Sequence, residues 1–175
     1  MTAMSFDDVL LRLNRLDEDV YLSFDTDKRY YLIIVGGSAL ILHKLRTIAT
    51  HDIDSIGVSK ELYPLLEKHD INTRAQAYIN CFPYNYEDRL KLVFQGRKID
   101  VYVVSLEDAV IAKLYASRPV DIVDITDSNV LMNLDWDKLE FLATDESEAW
   151  SSRLNDNSYN IFLDAYKDYV REFKL

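Results

Sequence analysis

An apolar run, Tyr30–Val35, ends in Gly36-Gly37-Ser38, and thirteen residues separate Ser38 from Asp52-Ile53-Asp54. A continuous β-branched and aromatic run that stops at glycine predicts a buried strand. Residues 38–45 then predict a short helix, with Leu40, Ile41 and Leu45 apolar and the glycine-serine turn at its N-terminus. Residues 51–58 predict a second strand. Successive strand residues point to opposite faces, so Asp52 and Asp54 are expected to point together and Ile53 away from them.

The remaining elements follow from local signals. Ser5-Phe6-Asp7-Asp8 offers a serine cap with acids in the first turn, and Val9, Leu10, Leu13 and Leu16 follow at helical spacing. Residues 60–68 predict a helix with Pro64 in or near its first turn. Residues 72–87, aromatic and irregular, predict a strand and a loop. Residues 89–94 and 98–104 flank Gln95-Gly96-Arg97 and predict a hairpin. Ser105-Leu106-Glu107-Asp108 predicts a helix start, and Pro119 its end. Residues 121–132, 135–143 and 158–173 predict three further helices. The pattern predicts an α/β (α+β) chain: a mixed sheet flanked by helices, with a helical C-terminal part.

Length and charge narrow the function. A chain of 175 residues suits one domain, or a domain with a helical extension. The net charge of −10, from 20 basic and 30 acidic residues, excludes a general nucleic-acid binder held by a basic field. Cys81 is the single cysteine, so no internal disulfide and no cysteine zinc site is expected. The longest uncharged apolar run, Tyr30 to Leu42, is too short to span a bilayer. Residues 1–8 carry no basic segment leading into an apolar one, so no signal peptide is expected and a cytoplasmic location follows.

The glycines and acids suggest phosphate and metal chemistry. Gly36 and Gly37 let backbone approach a ligand closely, and the following helix start offers free N–H groups to phosphate. The same turn also serves a plain strand-to-helix connection that needs positive φ. Two neighbouring carboxylates raise each other's proton affinity unless a cation lies between them. Mg²⁺ (or Mn²⁺), with oxygen ligands, answers that need, and two acids on a solvated edge strand are the alternative. Asp100, in the strand-like run of residues 99–104, is costly to bury alone and would complete a triad if its strand lay beside that of Asp52. Arg46 could hold phosphate bidentately or form a salt bridge elsewhere. Tyr78, Tyr84 and Tyr86 cluster where a base could stack.

Gly36-Gly37-Ser38, Asp52-Ile53-Asp54 and the later Asp100 together resemble the polymerase-β-type nucleotidyltransferase superfamily. The likeness is nearest to the minimal AbiEii-like enzymes that act as bacterial toxins in type IV toxin–antitoxin pairs. Arg46-Thr47 and Thr50-His51 before the acids match, as do Ser105-Leu106-Glu107-Asp108, Lys113, Arg118, Asp121 and Asp124. The resemblance covers residues 31–124. The expected division is a nucleotidyltransferase-like domain with the N-terminal helix over residues 1–130 and a helical C-terminal extension packed on it over residues 131–175. The resemblance implies that Gly36, Gly37, Ser38 and Arg46 bind the triphosphate of a nucleotide such as ATP. It further implies that Asp52 and Asp54 hold Mg²⁺, that Asp100 also binds metal and helps activate the acceptor hydroxyl, and that Lys113 contacts phosphate. Either Asp121 or Asp124 matches the acid beyond the lysine. The implied reaction moves a nucleotide to an RNA hydroxyl, such as a tRNA end, or to a protein hydroxyl. A cognate antitoxin is the implied partner, and no membrane is involved. The alternative is an inactive module of the same fold, acting as a binding or antitoxin-like partner.

Overall fold

A computed structural model describes residues 3–45, 50–150 and 155–175. Helix α1 (Phe6–Ser23) opens with a reciprocal cap. The Asp8 N–H donates to Ser5 Oγ at 3.1 Å, and the Ser5 N–H donates to Asp8 Oδ2 at 2.8 Å. Then follow β1 (Tyr30–Val35), α2 (Gly36–Leu42), β2 (Ile53–Ile56), α3 (Tyr63–Lys68) and the two-residue β3 (Ile71–Asn72). The hairpin is β4 (Lys91–Gln95) and β5 (Ile99–Val103). Helices α4 (Leu106–Ala116), α5 (Pro119–Ile125), α6 (Ser128–Asn133), α7 (Trp136–Thr144), α8 (Glu146–Trp150) and α9 (Asp156–Phe173) complete the chain.

The five strands form one mixed sheet in the order β3-β2-β1-β5-β4. Strand β1 runs antiparallel to β2 and parallel to β5, while β2 and β3 are parallel and β4 and β5 antiparallel. One face carries Leu32, Ile34, Ile53, Val101 and Val103, all fully buried under helices. The other carries Tyr31, Ile33, Val35, Asp54, Asp100 and Tyr102, by the strand pairings. The mixed sheet, its flanking helices and the helical C-terminal part agree with the sequence reading.

Helix α4 joins two apolar clusters. Ala109 belongs to the core between α1, α2 and the sheet. Val110, Ile111 and Leu114 belong to a second core with α7 and α9, which Leu40 of α2 also enters. A helix apolar on all sides is buried on all sides. Tyr115 of α4 stacks on Phe162 of α9 with ring centroids 4.1 Å apart. Among the described residues, no helix is long and apolar enough to cross a membrane.

Three expectations need correction. The strand and loop expected over residues 72–87 hold no strand beyond Asn72, the end of β3: Arg74–Cys81 and Tyr84–Arg89 are 3₁₀ turns, each broken by a kink. Such turns have no extended periodicity to read. Pro119 opens α5 as well as following α4, in the first-turn position where its missing N–H costs nothing. The single helix expected over residues 121–132 is two helices, because Asp127 caps α6 by accepting the Asn129 N–H at 2.9 Å.

Candidate functional site

Strand pairing brings the first acids together. Val35, the last residue of β1, pairs with Asp54, and Asp54 pairs with Asn72 of β3. Asp52 lies two residues earlier, at the mouth of β2. One amide reaches both carboxylates: Asn72 Nδ2 donates to Asp52 Oδ2 at 2.7 Å and to Asp54 Oδ1 at 2.9 Å. Arg74 Nη2 donates to the same Asp52 oxygen at 3.0 Å. Burial pushes the Asp54 carboxyl above its ordinary range; the Asn72 hydrogen bond opposes this, and the charge of Asp52 adds to it.

The glycine turn touches these acids directly. Gly36 has φ +64, and a Cβ there would lie 2.6 Å from Asp54 Oδ2. Gly36→Ala is therefore expected to destabilise by about 1–2 kcal/mol from backbone strain alone. It also displaces the Asp54 carboxyl, and misplacements of this size can lower reaction rates by about 100-fold. Gly57 is the control, since its φ is +72 but an added Cβ meets only side-chain atoms of Ile33 and Tyr31 at 3.4 Å. Urea unfolding of the two alanine variants should show comparable strain, while only Gly36→Ala weakens Mn²⁺ binding.

Ser38 faces inward. Its hydroxyl donates to the Val35 carbonyl at 2.8 Å and accepts the Asp54 N–H at 3.2 Å, tying α2 to both strands. Gly37 and Ser38 are buried, and of the three turn residues Gly36 lines the cavity beside the acids. Arg46 and Thr47 lie outside the described residues.

Lys113 sits on the side of α4 that faces this cavity. Its side chain is almost wholly buried, and Nζ donates to Asp121 Oδ1 at 3.0 Å and Asp124 Oδ2 at 2.9 Å. Both acids beyond the lysine thus hold it. Arg118 adds a two-pronged contact to Asp121, at 2.7 and 3.1 Å. Burial pushes the Asp121 carboxyl up, but the Arg118 hydrogen bond and the Lys113 charge outweigh it and hold it below the ordinary carboxylate range.

Asp100 does not join this group. It pairs with Tyr31 near the start of β1, four residues before the Val35 that pairs with Asp54. At the rise of a strand that is roughly 13 Å. The cause is direction: β5 runs parallel to β1, so its first residues lie at the end away from the glycine turn. Asp100 instead accepts Arg29 Nη2 at 2.5 Å and Nε at 3.2 Å. Arg29 holds its carboxyl below the ordinary range.

Gly36, Asp54, Arg74, Lys113, Arg118 and Asp121 line one cavity of about 810 Å³. Its other walls are apolar, from Tyr78, Phe82, Tyr115, Ile161 and Phe162. Tyr86 instead packs on Phe82, with centroids 5.4 Å apart. Sequence reasoning did not assign Asn72, Arg74 or Phe162. Asn72 ends, and Arg74 follows, a strand too short to show a pattern, and Phe162 lies in an ordinary amphipathic helix. Among the described residues, no group of three or more His, Cys, Asp or Glu side chains could hold a metal ion. Two carboxylates with open solvent beside them still suit Mg²⁺, which keeps several waters and takes its other oxygens from phosphates.

The profile of a family described as "Nucleotidyltransferase of unknown function (DUF6036)" matches residues 11–174. No curated protein and no solved structure matches the chain.

Proposed function

The chain belongs to the nucleotidyltransferase family DUF6036, and from that premise we propose that it moves a nucleotide from a nucleoside triphosphate to an RNA or protein hydroxyl in this cavity. The observation that carries the reading is the meeting of Asp52 with Asp54, where Asp54 and Gly36 line a cavity that also presents Arg74, Lys113 and Arg118. Asp52 and Asp54 would hold Mg²⁺, which when bound draws negative charge off the phosphates. Arg74 and Arg118 stand where a triphosphate would enter, and guanidinium forks suit phosphate oxygens. Gly36 leaves room for the phosphates because it has no Cβ. The apolar walls of Tyr78, Phe82 and Phe162 suit a nucleobase. The acceptor oxygen bonds to the α-phosphorus, the bond to the β-phosphate bridge breaks, and pyrophosphate leaves. The acceptor hydroxyl gives up its proton to solvent as the new bond forms.

The test is to incubate the protein with α-labelled nucleotides and cell extract, with Mg²⁺ or with EDTA. A labelled RNA or protein band that requires Mg²⁺ is the expected result. Labelling no greater than without the protein would overturn the reading. A toxin role predicts growth arrest on expression, relieved by Asp52→Ala and by co-expression of a cognate antitoxin in the cytoplasm. A nucleotide-binding module without turnover is the second reading, favoured by the Arg74–Asp52 contact that already places a cation on the acids. Calorimetric binding of nucleotide with no labelled product would support it.

A further inference from the structure

One neutral residue, Asn72, touches both acids of this site. We propose that Asn72 is the positioning residue for cation binding by Asp52 and Asp54, an inference that rests on the metal-dependent reading above. Its Nδ2 engages Asp52 Oδ2 and Asp54 Oδ1. Neither bond uses Asp52 Oδ1 or Asp54 Oδ2, and the latter faces the Gly36 turn. The amide thus takes one oxygen of each carboxylate and fixes the plane of both.

The amide is itself held in one orientation. Its Oδ1 accepts the Arg74 N–H at 3.2 Å. Rotation by 180° would set the carbonyl oxygen against two carboxylates and the NH₂ against the Arg74 N–H, turning favourable contacts into repulsive ones. The main chain is fixed as well: the Asn72 carbonyl accepts Ser55 Oγ at 2.9 Å, and β3 pairs with β2 at Asn72 and Asp54. Groups that orient metal-binding side chains in this way typically change metal affinity by about 10–100-fold when removed.

Charge explains why an amide stands here. An aspartate at this position would bring a third negative group onto Asp52 and Asp54, and the metal-free site would be strongly repulsive. Asparagine supplies the donor without the charge, so the acids are held together before the ion arrives. Two substitutions separate donor from charge: alanine removes the donor alone, and aspartate exchanges it for a third carboxylate that a bound ion would offset.

Mn²⁺ alone is the probe, titrated by calorimetry and by the loss of free-ion EPR signal. Wild type should bind, Asp54→Ala should not, and Asn72→Ala should bind about 10-fold or more weakly. Asn72→Asp should bind more tightly than wild type, and its melting temperature should rise with added Mn²⁺ more than that of wild type. Equal Mn²⁺ affinity in wild type and Asn72→Ala, with Asp54→Ala inactive in binding, would overturn the role of Asn72 and leave the metal site standing. Weakened binding in both Asn72 variants, with parallel losses of stability, would reduce Asn72 to a packing residue and also overturn it. Failure of wild type itself to bind Mn²⁺ would remove the metal reading and this inference together.

Discussion

Asp54→Asn is expected to lower nucleotide transfer by about 1000-fold, a loss of about 4 kcal/mol in transition-state stabilisation. The same substitution is expected to leave the metal-free fold as stable as wild type, or more so. Burial raises the proton affinity of Asp54, and Asp52 adds to that effect. For an acid, a folded-state pKa above the unfolded one means that the native state holds more protons between the two values. Its contribution then favours folding at low pH and is lost as pH rises through the folded value. Wild type without metal carries that loss at neutral pH, and asparagine removes it. The amide still accepts the Asn72 N–H, so the local network survives. Thermal unfolding in EDTA across pH 4–8, set beside labelled transfer at neutral pH, checks both halves. A variant that is inactive because it is unfolded would refute the separation.

Lys113→Met is expected to destabilise the chain by about 3–5 kcal/mol, since it takes the cation from between two buried carboxylates. The lysine and both of its acid partners are nearly inaccessible to water. For a chain of this length each kcal/mol moves the melting temperature by roughly 2–4 °C, so a fall on the order of 10 °C is expected. In wild type Asp121 is held below its ordinary range, so its contribution to stability is present above the unfolded pKa and fades as pH falls through the folded one. Without the lysine Asp121 keeps its Arg118 contact at 2.7 and 3.1 Å but loses the Lys113 charge, so its carboxyl is held less far below the ordinary range. Adding Asp124→Asn to Lys113→Met should restore part of the loss, because it removes one of the two negative charges that faced the ammonium. Non-additivity of this kind marks residues that act as one network. Melting curves of the two single variants and the double variant, at pH 5 and pH 8, measure it.

The parts of this fold that are legible in the sequence are those with local causes. The apolar run into Gly36 marks β1 and its turn, because only a residue without a Cβ fits against Asp54 there. Ser105 marks the start of α4, because its hydroxyl accepts the Asp108 N–H at 3.1 Å. The period of two in β2 places Asp52 and Asp54 within reach of one amide. The same alternation places Asp100 on the face that carries Asp54, yet a face is not a position along it. Whether β5 runs with β1 or against it depends on the crossover and on pairing between distant segments, and no local pattern records that. The link from Asn72 to the acids is hidden for the same reason. A two-residue strand has no periodicity, and an asparagine before a turn reads as a turn residue. Lys113 is visible as a helical lysine, but its burial is not, since the acids that neutralise it arrive from the next helix.

The arrangement also divides labour along β1. At its C-terminal end the backbone, two acids and a buried cation cluster meet around the cavity. At its N-terminal end Arg29 binds Asp100 and also donates to the carbonyls of Arg97 at 2.8 Å and Gly96 at 3.0 Å. That second group fastens the hairpin to the start of β1. The nearby Asp17 does the same from α1, accepting the N–H groups of Arg97, Lys98 and Ile99 at 2.8, 2.8 and 3.0 Å. A carboxylate that satisfies three amides is a structural fastening, and Asp100, bound to Arg29, fastens the same end of the hairpin.

Crystals soaked with Mn²⁺ and a non-hydrolysable nucleoside triphosphate test the central claim most directly, through the anomalous signal of the ion. The expected result is a peak between the Asp52 and Asp54 carboxylates, with phosphate density reaching from Gly36 toward Arg74 and Arg118. A peak beside Asp100, or triphosphate bound elsewhere with no ion at Asp52 and Asp54, would contradict it.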